Sequence, residues 1–471
     1  MEENKKLLNI SKKTFISIVI LLACLIILSI VLTYILPKGD FLTLADGTID
    51  YSTFVENHDI KGVNIFKGIF SPILVLLSSD GISLIFLSIF LLIIAGAFQV
   101  FQDVKGIKAI VVKIAEKFQN KKFLFFALII LLFMAFGAFL GLFEEVLTLL
   151  PIMIILCISM GYDSFTGFLI SIFACGMGFA SSISNPFTVL FASSIIGVNP
   201  LTHIWFRFII FIVMYLFTLG IVLLYVRKIN KNEEASYTYK HDLSLKDEVQ
   251  ENEEIPNAQK LKTIYIVFFS IVLAVLIIFS ALSFLRDYTV PALIAVFLIG
   301  GLISGYLASK NFKMVLKSFL KGILSALPTI LLVLMAASIK YILVEGHAIA
   351  SISHWISTLI QGKNIYVIAL IIYLVIIILE FFISSSTAKA IFVMGILSTL
   401  SIGLSKEMLV LLYTFGDGYT NLIFPTSPVL LISLSMIGFD YFKWIKKSWW
   451  IFLINTVLVI GFILLAVLIR Y

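Results

Sequence analysis

"SSISNPFTVLF", residues 181–191, interrupts an apolar run that would otherwise sit well in lipid. Upstream lies "FLISIFACGMGFA", and the chain turns apolar again soon after. Pro186 lacks a backbone N–H and clashes with the carbonyl four residues back. Asn185 before it is biased away from helical angles. The break is therefore encoded. In hydrocarbon, unsatisfied backbone groups are costly, so helices break only where protein or water takes up the freed groups. The residues around this break are hydroxyls and an amide: Ser181, Ser182, Ser184, Asn185 and Thr188. With freed carbonyls they make a set of hard oxygen ligands, suited to Na⁺ or to a solute headgroup.

Composition explains why the run belongs in a membrane. Of 471 residues, 61% are hydrophobic and 13% charged, against about a quarter charged in soluble domains. Apolar stretches near the spanning length recur along the chain, which predicts an all-α polytopic membrane protein. The first, residues 14–36, follows Lys5, Lys6, Lys12 and Lys13 and is too long for a secretory signal, so it is an uncleaved first helix. Cys24, Cys157 and Cys175 all lie in apolar runs and make neither a disulfide framework nor a metal cluster. The five histidines are scattered. No metal, no cofactor and no nucleic-acid partner is expected.

Loop charge sets the orientation. Residues 37–62 carry five acids and two lysines and read as outside. Residues 105–122 carry six lysines and read as inside, in the cytoplasmic membrane of a bacterium with the N-terminus inside. The long polar stretch 227–262 is expected to be a cytoplasmic linker, flexible or partly helical. Lys310, Lys313, Lys317 and Lys321 fall on one helical face and suggest an amphipathic helix at the inner surface.

The linker divides the chain, and the halves share one register. Gly176 and Gly416 lie 240 residues apart, as do Gly178 and Gly418; Pro186 and Pro425 lie 239 apart, as do Trp205 and Trp444. "GMGFASSISNPFTVLF" thus faces "GDGYTNLIFPTSPVLL". The loop after Val104 is lysine-rich, whereas its counterpart after Val344 holds Glu345, His347, His354 and Lys363. By the positive-inside rule the repeats have opposite topology, a transporter pattern. The expected segments are 1–36 (N-terminus and first helix), 37–83 (external loop and an interfacial stretch) and 84–226 (first repeat). They continue with the linker 227–262, then 263–324 (two connecting helices and the amphipathic helix) and 325–466 (second repeat), leaving the C-terminus outside.

Each repeat holds a second polar element about 40 residues before its break. The first is "GLFEEVLTLLP" with Glu144 and Glu145; the second is "FFISSSTAKAIF" with Ser384, Ser385, Ser386, Thr387 and Lys389. Each precedes an apolar stretch too short for a comfortable span, so both read as re-entrant hairpins whose tips meet the broken helices. The second break supplies Asp417, Thr420, Asn421, Pro425, Thr426 and Ser427. A charge at the midplane costs roughly 2.5–3.5 kcal/mol, so Glu144, Glu145, Lys389 and Asp417 need a reason. Plain alternatives exist. Adjacent glutamates point about 100° apart on a helix and cannot both face one pathway. One can simply cap a helix, Lys389 can snorkel, Asp417 can end a helix, and a membrane serine often only packs.

"GLFEEVLTLLPI", "MGYDSFTG", "GMGFASSISNPFTV", "SSSTAKA" and "FGDGYTNLIFPTSPVL" resemble the C4-dicarboxylate anaerobic carrier family, in its YfcC-type branch within the ion transporter superfamily. The resemblance runs through both repeats. It implies a secondary transporter and a homodimer, with a scaffold and a mobile transport domain to which each repeat gives one hairpin and one broken helix. That branch includes proteins assigned as arginine/ornithine antiporters, and the wider family includes dicarboxylate carriers. Matching positions are Glu144, Glu145, Asn185, Pro186, Ser384 to Thr387, Asp417, Asn421, Pro425, Thr426 and Ser427. Related dicarboxylate symporters carry Ser-Asn-Thr at both hairpin tips, whereas the first tip here reads Phe143-Glu144-Glu145.

The expected function is alternating-access transport of a small charged organic solute, with Na⁺ or H⁺ as a coupling ion. Two tip carboxylates favour a cationic partner, while Lys389 and half-helix N-termini suit a carboxylate, so an amino acid such as arginine or ornithine satisfies both. A dicarboxylate is the alternative, leaving the glutamates to the coupling ion. A channel would need a symmetric pore-lining ring, which breaks in both halves argue against. No nucleophile–base pair or metal signature supports an enzyme.

Overall fold

The computed structural model describes residues 12–43, 49–57, 61–78, 81–106, 109, 117–250, 258–282, 284–285, 288–348, 351, 359–360, 362–383, 386, 389–390, 393–394, 397 and 403–471. Among them, nine helices are long and apolar enough to cross a membrane. They fall into two bundles, and the chain visits each bundle twice.

The first bundle holds α1 (Lys12–Ile35), α2 (Gly81–Asp103), α9 (Ala258–Ala281), α10 (Thr289–Ser309) and α11 (Phe312–Glu345). On α1, Ile18, Leu22, Ile26 and Ile30 recur every four residues and are buried, with α11 packed along the helix. Ile16, Ile20, Ile27 and Val31 point away and are exposed, which suits lipid. The α2–α11 contact depends on small residues, as membrane helix pairs do. A Cβ on Gly322 would sit 2.3 Å from the Ala95 carbonyl oxygen, and one on Gly96 would meet the Phe319 ring at 2.9 Å.

The second bundle begins with α3 (Lys122–Leu140), α4 (Leu150–Ser159), α5 (Ser164–Ala180), α6 (Pro186–Ile196) and α7 (Ile204–Lys231). It is completed by α12 (Ile365–Phe382), α13 (Lys406–Gly418), α14 (Pro428–Met436) and α15 (Tyr441–Leu468). Between the two visits, the linker folds into α8 (Tyr239–Gln250).

Two faces of the molecule emerge. On one lie the end of α2, the starts of α9 and α11, the start of α3 and the linker. Ser318 donates to Asp103 at 2.6 Å there, and the Lys122 ammonium lies 5.1 Å from the Tyr162 ring centre. These are the lysine-rich segments. The ends of α1 and α11 meet on the opposite face, where Lys67 pairs with Glu345 and the Val63 N–H donates to Thr33 at 3.0 Å. The acidic loop on that face forms the one two-stranded sheet among the described residues, β1 (Gly39–Thr43) antiparallel to β2 (Ile49–Glu56). The expected interfacial stretch is a chain of short helices from Ile65 to Leu77 that exposes Ile65, Phe66, Ile69, Phe70 and Ile73.

One expectation changes. The lysine-bearing segment 310–321 is not a separate amphipathic helix. It is the start of α11, which runs 34 residues with Pro328 inside. Nothing between Lys321 and Leu331 stops it, because Gly322 is needed for the close approach of α2 rather than for a turn. The linker, expected to be flexible or partly helical, carries α8 and is docked over residues 232–246, for reasons given below.

Candidate functional site

The site grows from two short helices that enter from opposite faces. α5 starts on the lysine-rich face, where Asp163 accepts from Tyr225 near the end of α7 at 2.5 Å. α13 starts at the other end of α7. There Ser405 bonds the Tyr471 carbonyl, and Arg207 donates to the Tyr471 hydroxyl at 2.8 Å. The C-terminal ends of α5 and α13 then touch. A Cβ on Gly418 would lie 2.2 Å from the Ala180 Cα, and one on Gly176 would lie 2.7 Å from the Leu422 side chain. The other glycine of each G-x-G packs within its own half. A Cβ on Gly178 would lie 2.1 Å from the Met134 carbonyl oxygen of α3, and one on Gly416 would lie 2.5 Å from the Ile376 side chain of α12. Positions i and i+2 lie about 200° apart on a helix. One glycine therefore faces the home hairpin and the other faces the opposite half.

The first hairpin is antiparallel: α3 begins and α4 ends side by side, with the rings of Phe126 and Tyr162 5.1 Å apart. Its far end is stitched to the break. The N–H groups of Ile183 and Ser184 donate to the Ala138 carbonyl at 3.0 and 3.2 Å. The Asn185 amide donates to the Gly137 carbonyl at 3.1 Å, and its oxygen accepts from Phe187 N at 2.8 Å. A π turn at Phe136–Leu140 frees those carbonyls, and the break supplies the donors. Ser181 donates to the Met177 carbonyl at 2.8 Å, and Thr188 donates to the Ser182 hydroxyl at 3.2 Å. Ser184 reaches the Phe139 carbonyl at 3.4 Å. These side chains thus have structural partners, and only spare lone pairs remain for a cation.

The charges concentrate in the second half. Lys389 is fully buried and pairs with both Glu380 and Asp417, the latter at 2.5 Å. Its ammonium also donates to the Ile383 carbonyl at 3.3 Å. Snorkelling is excluded, because the ammonium is fully buried between two carboxylates. Ser386 donates to the other Asp417 oxygen at 2.9 Å. Thr420 donates to the Gly416 carbonyl at 2.9 Å, and Asn421 to the Asp417 carbonyl at 2.8 Å. Ser427 caps α14, while the Thr426 hydroxyl is buried with no hydrogen-bond partner among the described residues. Ser384, Ser385 and Thr387 lie outside the described residues.

Glu144 and Glu145 diverge as helix geometry requires. Glu144 is exposed and Glu145 is buried. No ammonium or guanidinium pairs with Glu145 among the described residues. It lies in electrostatic reach of Cys175, whose thiol bonds the Leu142 carbonyl at 3.1 Å. The Cys175–Leu142 bond ties α5 to the segment that carries Glu145.

Sequence reasoning missed two features. Glu380 is a lone acid at the end of an apolar helix, and such a residue is a functional candidate by default. The other is a polar cluster under α5. Asp242 of α8 accepts from Ser164 N at 2.9 Å, Ser164 Oγ at 2.6 Å and Thr238 Oγ1 at 2.6 Å. Asp163 accepts from Thr166 N at 2.8 Å and from Ser236 at 2.6 Å. Burial pushes the Asp163 carboxyl above its ordinary value, against the hydrogen bonds of Ser236, Thr166 and Tyr225. The linker also reaches the second half. The Tyr237 ring stacks on Phe439 with centres 5.9 Å apart, and the His241 ring fills the space a side chain at Gly438 would need.

Comparison with known proteins bears on this arrangement. The family model for the C4-dicarboxylate anaerobic carrier (DcuC) matches residues 15–469. A candidate basic amino acid antiporter of Escherichia coli (strain K12), YfcC, is 26% identical over 389 residues, 79% of this chain and 76% of that one. An uncharacterised protein of Haemophilus influenzae is 24% identical over 388 residues, 80% of this chain and 74% of its own. Among solved structures, the YdaH transporter of Alcanivorax borkumensis aligns over 95% of this chain and 97% of that one, with 14% identity and a TM-score of 0.45.

Proposed function

The chain belongs to the C4-dicarboxylate anaerobic carrier family, a family of membrane transporters, and from that premise we propose a secondary active transporter of a basic amino acid. The observation that carries the reading is the crossing of α5 and α13. Two helix C-termini meet there, and each is the negative end of its dipole. Asp417 and Glu380 gather at or beside it against one ammonium, Lys389, and Glu145 is a further buried acid of the first half. Such a place favours a cation, whether an amino group, a guanidinium, Na⁺ or H⁺. The N-termini of α6 and α14, just beyond the breaks, offer the opposite polarity to a carboxylate. A zwitterion with an added positive charge fits both. The name of the Escherichia coli relative points the same way.

Antiparallel partners support an inverted relation between the halves. α7 and α15 match at Trp205 and Trp444, yet Phe206 meets Phe462 near opposite ends of the two helices, with ring centres 6.2 Å apart. On this reading the lysine-rich face is cytoplasmic and the N-terminus is inside. The second bundle moves against the first, and the working unit is a homodimer. A C4-dicarboxylate is the second reading, favoured by the family description. The use of Lys389 by two carboxylates weighs against it, because a dianion would meet net negative charge.

Uptake into liposomes decides between them. Arginine, ornithine and dicarboxylates would each be offered with and without Na⁺ and a pH gradient. Saturable uptake with counterflow of arginine or ornithine is the expected result. Transport of dicarboxylates alone would select the second reading. Carriage of no charged organic solute would overturn both, and absence of counterflow would indicate a channel.

A further inference from the structure

On the lysine-rich face a cavity of about 200 Å³ opens between α7 and α15. Its walls include Leu169, Ile221, Trp444 and Ile451. At its rim two ammonium groups share one aromatic ring: Lys228 and Lys447 lie 4.4 and 5.2 Å from the centre of Tyr237. No carboxylate pairs with either lysine among the described residues. Four acids of the neighbouring segments are engaged elsewhere. Asp163 and Asp242 hold the hydroxyls described above, Glu233 pairs with Lys246 at 3.0 Å, and Asp440 accepts from Lys443 N at 3.1 Å. Two like charges held beside one ring repel, and a single anion between them would relieve that repulsion. Trp450 also lines the cavity and Trp449 beside it is exposed, a placement suited to headgroup depth. Leu224, another lining residue, is 59% exposed on the outer flank of α7, so the cavity continues into the surface that meets lipid.

We propose that this cavity binds an anionic phospholipid, with its phosphate between Lys228 and Lys447 and an acyl chain running down the α7–α15 seam past Leu224. Basic pockets between membrane helices at headgroup level are suited to such lipids. The argument stands apart from the choice of transported solute. The bound lipid would bridge both halves and the linker, since Tyr237 belongs to the linker and the lysines to the two halves.

The test uses the full chain in neutral detergent, titrated with phosphatidylglycerol and with phosphatidylcholine and followed by native mass spectrometry. Phosphatidylglycerol is expected to bind more tightly. A lysine at a lipid surface contributes about fivefold in affinity, so Lys228→Gln with Lys447→Gln should weaken binding by about 25-fold. The paired change Lys231→Gln with Lys446→Gln, on the same face outside the cavity, should leave it within about twofold. Lys228→Arg with Lys447→Arg should restore most of it. Equal binding of the two lipids, or equal loss in the control pair, would overturn the proposal. So would full competition by glycerol 3-phosphate, which has the phosphate without the chain. Thermal unfolding of each variant confirms that the fold is intact.

Discussion

Asp242 completes the cap that Asp163 begins on α5, reaching across 78 residues of chain to take Ser164 N at 2.9 Å and Ser164 Oγ at 2.6 Å. A carboxylate at a helix N-terminus satisfies orphan amides and meets the positive end of the dipole. Because Asp242 belongs to the linker, the cap also fastens α8 under the second bundle.

Replacing that cap should therefore free the linker before it unfolds the protein. Asp242→Ala is expected to cost about 1–2 kcal/mol. Limited proteolysis within residues 232–250 should accelerate while the membrane helices stay protected. Unchanged proteolysis would mean that the ring contacts of Tyr237 suffice to hold the linker.

The helix crossing predicts an asymmetry between two glycines. Gly418→Ala puts a methyl against the Ala180 backbone, which cannot step aside, whereas Gly176→Ala meets the Leu422 side chain, which can. Both proteins should insert into the membrane. Transport should fall at least tenfold for Gly418→Ala, roughly the effect of 1.4 kcal/mol, and only a few-fold for Gly176→Ala. Equal activities would show that the crossing opens during transport.

The tip glutamates should be unequal. Glu145 is buried and Glu144 exposed, so Glu145→Gln should reduce uptake strongly and Glu144→Gln mildly. Initial rates in liposomes are the measurement. Equal, mild effects from both would remove the tip carboxylates from the proposed pathway.

Lys389 sits between two acids, and the consequence is a ranking in stability. Lys389→Met leaves two buried carboxylates without a counter-charge, and breaking such a pair costs about 3–5 kcal/mol. Glu380→Gln keeps the ion pair with Asp417 and should cost less. Thermal unfolding in detergent gives the order directly, and a larger loss for Glu380→Gln would mean that Glu380, not Asp417, is the main partner.

Much of this was legible in the residues. Apolar length marked the spanning helices, because lipid demands it of any helix. Asn185-Pro186 marked a break, because proline chemistry is local. The divergence of Glu144 and Glu145 followed from helix geometry. What stayed hidden depends on pairing between distant segments. Glu380 was visible as an acid in an apolar run, but its link to Lys389, nine residues on, has no i, i+3 or i+4 spacing to announce it. The docking of Ser236, Thr238 and Asp242 under α5 has no periodicity to reveal it. A polar linker that satisfies a helix end has the same composition as one that does not.

α11 has one further consequence. Its 34 residues rise about 51 Å, whereas the hydrocarbon of a bilayer is about 30 Å thick. Tilt alone would need more than 50°, beyond the roughly 40° limit of membrane helices. The excess must stand outside the hydrocarbon, and the turns bearing Lys313, Lys317 and Lys321 are the ones that tolerate water. A helix of this length holds the first bundle at a set depth, which on the proposed reading leaves vertical movement to the second.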